Sequence, residues 1–151
     1  MSMPLDRSWI EKHIPHQGRM CLLDEVMEWD ARHIRCRSGT HRLPDHPLRA
    51  HGRLGAACGI EYAAQAMAVH GALTGGDSAR PEAGFLAALR DVRLHVPRLD
   101  DCDDEIHCEA VLVAGNQGSA LYEFALQSAA RQLLSGRATV VFDAGYRAKK
   151  T

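Results

Sequence analysis

The chain has 151 residues, 46% of them hydrophobic, with a formal net charge of −1. That length suits one domain around one core, and the composition excludes a disordered chain. The near-neutral charge excludes a global basic field for nucleic acid, and Met1–Ser8 lacks the continuous apolar run of a secretory signal, so a soluble cytoplasmic protein away from membranes is expected.

Asp6 to His13 reads as a short helix, with Ser8 as candidate N-cap and Glu11 three residues on, as a capping box requires. Pro15 ends it and Gln17-Gly18 reads as loop. Met20–Trp29 and His33–Thr40 predict two strands joined by a turn at Asp30–Arg32, a hairpin. His41–Arg53 contains Pro44 and Pro47, holds no period and reads as loop. Gly55–Leu73 is Ala-rich and free of Pro, so it predicts a helix. It is apolar almost all round, with Glu61 and Gln65 as its main polar interior residues, which is the pattern of a buried helix. Gly75-Gly76-Asp77 ends it and Ser78–Ala83 reads as loop.

Four strands complete the chain. Phe85–Val96 places Val92, Leu94 and Val96 on one face. Glu105–Val113 and Ser119–Gln127 alternate about the turn signal Gly115-Asn116-Gln117-Gly118. Leu133–Phe142 closes the series, and the basic tail Arg147–Thr151 is expected to fray. The five cysteines are odd in number, form no CxxC pair and read as reduced and structural. One buried helix against one antiparallel sheet is an α+β architecture. A curved sheet wrapped around one long central helix is the hotdog fold, here expected as a single domain over 1–151. Such a sheet leaves an edge strand open, and dimerisation is the usual remedy.

Glu61 stands out because a carboxylate in an apolar helix is costly to desolvate. Either it is buried with a raised pKa and serves as a general acid, or it reaches solvent at the helix edge or a neighbouring Arg. His46 and His51 precede the helix, where the dipole favours the neutral, proton-accepting imidazole. Each is also a plausible exposed loop residue. The backbone N–H groups of Gly55, Ala56 and Ala57 open the helix without intrahelical partners and suit a carbonyl oxygen that gains negative charge. No HxxxH or HExxH spacing supports a metal site, and GxSxG and P-loop patterns are missing.

Two segments carry a resemblance. Ile14-Pro15-His16-Gln17-Gly18-Arg19-Met20-Cys21-Leu22-Leu23-Asp24-Glu25-Val26 resembles the opening signature of hotdog-fold 3-hydroxyacyl-acyl-carrier-protein dehydratases. Gly59-Ile60-Glu61-Tyr62-Ala63-Ala64-Gln65-Ala66 resembles that family's helix motif. The wording is most similar to the diverged branch found with aryl-polyene pigment biosynthesis. The resemblance implies dehydration of a 3-hydroxyacyl thioester to a trans-2-enoyl thioester, as in fatty-acid or polyene synthesis. A His takes the C2 proton, a helix carboxyl handles the departing hydroxyl, and the two come from different protomers. Carried over, Glu61 is the acid and Gly55, Ala56 and Gln65 bind substrate. The family's loop reads His-Phe-Pro-Gly and then Pro-Gly before the helix. Here it reads His46-Pro47-Leu48-Arg49-Ala50-His51-Gly52-Arg53-Leu54-Gly55, which favours His46 as base with His51 as its alternative.

The resemblance further implies no metal and no organic cofactor, the substrate being carried on the phosphopantetheine arm of an acyl carrier protein or CoA. Arg49, Arg53, Arg90, Arg93 and Arg98 are candidates for a basic patch facing an acidic carrier, and equally for ordinary solvated charges. A homodimer or a hetero-oligomer with another hotdog protein is expected. Two alternatives remain: a hotdog acyl thioesterase, and a non-catalytic hotdog subunit that pairs with an active dehydratase.

Overall fold

The computed structural model describes residues 5–16, 18–75 and 84–142. In chain order these are helix α1 (Arg7–His13), strands β1 (Glu25–Asp30) and β2 (His33–Ser38), helix α2 (Gly59–Thr74), and strands β3 (Gly84–Leu94), β4 (Ile106–Gly115), β5 (Ser119–Ser128) and β6 (Arg131–Phe142). Short 3₁₀ turns form at Gly18–Met20, Thr40–Arg42 and Ala56–Cys58. The six strands make one sheet in the order β1-β2-β4-β5-β6-β3, antiparallel throughout. Helix α2 packs on β2, β4 and β5. The α+β hotdog architecture expected from the pattern of elements is the one observed.

The two faces of the sheet differ because side chains alternate along each strand. On the inner face, Cys36, Cys108, Leu126 and Leu134 stand opposite one another across four strands, all buried. The next rung runs Ile34, Ala110, Phe124 and Gly136. The outer face is ionic. Arg37 bridges Glu25 and Glu105 at 2.6 Å each, Arg35 meets Glu28 at 3.1 Å, His33 meets Glu109 at 2.6 Å and Arg137 meets Glu123 at 3.0 Å. These pairs sit in water and specify which face stays out more than they add stability.

Several expectations change in detail. The N-cap of α1 is Asp6, whose side chain accepts the Trp9 N–H at 3.0 Å, and not Ser8. The first strand begins at Glu25 rather than Met20, because Leu22 is held by side chains and not by a neighbouring strand. The helix begins at Gly59 and not Gly55, after the 3₁₀ turn. The alternation expected along Phe85–Val96 is broken by a bulge between Arg90 and Arg93, with Asp91 at φ 55°. Leu94 is exposed while Val96 is buried. The loop expected at Ser78–Ala83 and the basic tail lie outside the described residues. All five cysteines are free, and no helix among the described residues is long and apolar enough to cross a membrane.

Gly59 sets how closely α2 approaches the sheet. A Cβ there would collide with Leu134 Cδ2 and stand 3.1 Å from Leu126 Cδ2, both on fully buried side chains. Three histidines are also buried. His41 Nε2–H donates to Cys102 O at 2.9 Å, and His70 bridges Tyr122 Oη at 2.7 Å and Asp30 O at 2.9 Å. Desolvation lowers the pKa of His41, His46 and His70 from the ordinary 6.5.

Two predictions follow from this packing. Gly59→Ala should lower the urea midpoint, because overpacking of about 1–3 kcal/mol outweighs a helix-propensity gain of at most roughly 1 kcal/mol; an unchanged or higher midpoint would mean that Leu134 yields freely. For the histidines, the unfolded chain binds more protons than the folded one below the ordinary 6.5. Their contribution is therefore complete above that value and declines as pH falls through it. The urea midpoint should be lower at pH about 5.5 than at pH about 7.5, and equal midpoints would show that these rings charge in place.

Candidate active site

Glu61 lies in the first turn of α2. Its side chain is 40% exposed. The chain thus presents it at the helix edge rather than sealed in the core, the second of the two readings open from the sequence. Its partner is His16, three residues beyond the end of α1, whose Nε2 stands 3.7 Å from Glu61 Oε1. That separation is longer than a hydrogen bond and short enough for an ion pair once the imidazole is charged. His16 is 27% exposed, and its Nδ1 is buried with no hydrogen-bond partner among the described residues. An imidazole and a carboxyl therefore stand side by side on one chain, both open to solvent.

His46 is not brought to this pair. It is buried, and both ring nitrogens are engaged. Nδ1 accepts the Leu48 N–H at 3.0 Å, which places the proton of the neutral ring on Nε2, 3.0 Å from Tyr62 Oη. Tyr62 Oη–H then points to Thr40 Oγ1 at 2.8 Å, and Thr40 Oγ1–H to Leu22 O at 2.8 Å. The chain of donors runs one way, from the Leu48 N–H to a backbone carbonyl. Burial pushes the Tyr62 phenol well above its usual range and the His46 imidazole below its own. In this arrangement His46 has no lone pair free to take a proton. His46 thus appears as part of a buried polar relay inside the loop that was read as the base's location.

His51 is exposed at the tip of a two-residue turn closed by reciprocal bonds between Ala50 and Arg53. His51 and Gly52 both take positive φ there, 54° and 77°, a turn conformation that Gly accepts freely and His tolerates. Neither His51 nor His46 shares a hydrogen bond or ion pair with Glu61. The donors expected at the helix start are spent in part. Gly55 bridges Arg98, the Ala56 N–H donates to Pro97 O at 3.2 Å, and the Cys58 N–H to Gly55 O at 3.0 Å. Gln65 is fully buried with both ends of its amide on backbone groups of the segment that follows His16.

The arginines expected as a patch divide. Arg49 ties the loop together, donating to the carbonyls of His41, Leu43 and Gly52 and reaching Asp100 at 3.4 Å. Arg98 also pairs with Asp100 and, with the Leu54 N–H, holds that carboxyl well below the usual carboxylate range. Arg53, Arg90 and Arg93 are exposed and make no ion pair among the described residues. No group of three or more His, Cys, Asp or Glu side chains that could hold a metal forms among the described residues.

The sequence singled out Glu61 and did not pair it with His16, although Pro15-His16 stands in the opening motif. Its position beside Glu61 depends on contacts between segments some 45 residues apart, which no local period reports.

Comparisons with known proteins identify the family and the fold. The family model described as "ApeP-like: ApeP dehydratase" matches residues 8–148. The solved dehydratase heterocomplex ApeI:P from Xenorhabdus doucetiae is 21% identical, with a TM-score of 0.75 over 99% of this chain and 97% of that one. AziG from S. sahachiroi is 14% identical, with a TM-score of 0.60 over 82% and 91%. The thioesterase HI1161 from Haemophilus influenzae is 9% identical, with a TM-score of 0.57 over 78% and 76%. At these identities the structures report the fold. The comparison with curated protein sequences returned no match. The family match spans nearly the whole chain, including both motifs and the His16–Glu61 pair, and the chain belongs to the ApeP-like dehydratase family of hotdog proteins.

Proposed function

We propose that the chain is a 3-hydroxyacyl-thioester dehydratase that releases water and leaves a trans-2-enoyl thioester. The observation that carries the reading is the His16–Glu61 pair at 3.7 Å. Elimination acts on adjacent carbons, so base and acid need to be near neighbours. His16 Nε2, the nitrogen that faces Glu61, takes the C2 proton. The C2–H electron pair forms the C2–C3 double bond. The C3–O bond breaks, and protonated Glu61 gives its proton to the departing hydroxyl, which leaves as water. The enzyme is left with an imidazolium beside a carboxylate, a state that the short separation stabilises. Return of one proton from His16 to Glu61 resets the pair.

Both groups come from one chain in this reading, whereas the resemblance implied two protomers. His46 is then a structural member of the loop, and Gly55 and Ala56 are engaged in part by Arg98 and Pro97. The substrate arrives on a phosphopantetheine arm, with no metal and no further organic cofactor. Exposed Arg53, Arg90 and Arg93 suit an acidic acyl carrier protein. The β3 edge exposes Leu86, Leu89 and Leu94, and an open strand edge of this kind calls for cover. A second hotdog chain fits it, either another copy or a homologue, and the ApeI:P relative is itself a heterocomplex.

The likeness to thioesterase HI1161 favours one alternative, hydrolysis of the thioester with Glu61 activating water. The heterocomplex relative favours another, a subunit that supports an active partner.

The test is formation of enoyl thioester from a 3-hydroxyacyl thioester, with free thiol assayed in parallel. Glu61→Gln and His16→Ala should each lower kcat by about 100-fold or more. His46→Ala should leave kcat of the folded enzyme within a few-fold and lower its stability by about 2 kcal/mol, because the Tyr62 hydroxyl and the Leu48 N–H lose their partner. Release of thiol without enoyl would establish the thioesterase instead. A folded chain inert alone and with a hotdog partner would remove both enzymatic readings. Turnover lost in His46→Ala but kept in His16→Ala would reverse the assignment of the base.

A further inference from the structure

We infer that Gln65 is a positioning residue that holds His16 against Glu61, an inference that rests on the pairing of those two groups proposed above. Gln65 lies one helical turn beyond Glu61, about 6 Å along the axis and on the same side of α2. Its side chain has no exposure at all. Its Oε1 accepts the Leu22 N–H at 2.8 Å, and its Nε2 donates to Met20 O at 2.6 Å. The orientation of the amide is forced, because the reverse would set NH₂ against N–H and oxygen against carbonyl. With both atoms spent on backbone inside the protein, Gln65 is not placed to touch a substrate.

The clamp fixes the segment that carries His16. Upstream, Ile14 is buried and its N–H closes α1 on Ile10 O at 3.1 Å. Downstream, Gly18–Met20 turns back, with Gly18 at φ 59° and the Cys21 N–H on Gly18 O at 3.1 Å. Arg7 adds a bond to Gly18 O at 3.2 Å, which ties the turn to α1 and not to α2. Among the described residues, the two Gln65 bonds and the His16–Glu61 contact are the polar ties between residues 14–24 and α2. One helix face therefore presents the acid and, a turn later, the amide that sets where the imidazole lies.

Gln65→Glu is the informative variant, being nearly isosteric. A protonated carboxyl can accept from Leu22 N–H and donate to Met20 O, whereas a carboxylate meets the Met20 carbonyl with no proton between them. Its kcat should fall by about 10–100-fold where the introduced carboxyl is ionised, with KM within a few-fold. Activity should recover toward low pH, so that the alkaline side of the pH profile moves down relative to wild type. In a His16→Ala background, Gln65→Glu should cost nothing further, since its effect passes through His16. Gln65→Leu should behave like the ionised variant; if it does not fold, the pH profile of Gln65→Glu decides. A wild-type profile for Gln65→Glu overturns the inference, as does a rise in KM at unchanged kcat or a full additional loss in the His16→Ala background. Wild-type turnover in His16→Ala itself would instead overturn the pairing on which the inference stands.

Discussion

The peptide groups of Leu22 are the point on which the rest of the architecture depends. Leu22 is fully buried, and a buried peptide without partners is costly. Its N–H is donated to Gln65 from α2, and its carbonyl accepts from Ser38 and Thr40 at the end of β2. The segment before β1, the stretch at the end of β2 and the central helix, the last 43 residues along the chain from Leu22, are thus joined through side chains at one residue. Thr40 extends the junction through Tyr62 to His46, so the loop before α2 is fastened to the same node.

The division of labour among the histidines follows from this node. A buried imidazole is kept neutral and placed between a donor and an acceptor, which suits His46 and His70 to internal bracing. His16 lies outside the node, on the short arm between α1 and the Gly18–Met20 turn, and reaches the surface beside Glu61. The His16–Glu61 pair at the edge of α2 stands apart from this internal bracing and keeps contact with solvent. The open β3 edge stands at the far end of the sheet order from β1.

Where an element depends on its own residues, the sequence was sufficient to read it. The central helix was legible as an Ala-rich, Pro-free run that is apolar almost all round, and the hairpin of β1 and β2 and the β4–β5 pair as alternation imposed by burial of one face. Glu61 was legible for a related reason, since a carboxylate in an apolar helix contradicts its surroundings. The start of β1 was misread because the apolar residues Cys21, Leu22 and Leu23 are buried by side-chain clamps rather than by strand pairing, and burial alone does not tell the two apart. The alternation of β3 was misread because a bulge shifts the register by means of one backbone angle, which leaves no mark on the pattern of residue types.

The sequence by itself determined the class of fold, the central helix, the family motifs and the acid candidate, because each is written in local spacing or residue type. Only the tertiary structure decided which histidine faces that acid. His46 has the sequence distance of a base, yet its ring nitrogens are taken up by Leu48 and Tyr62. His16 is far away along the chain and is delivered to Glu61 by two anchors, Ile14 in the core and the Met20–Leu22 backbone on Gln65. The physical reason is that proximity between distant segments comes from satisfying buried polar groups, and that requirement is met only once the chain has folded.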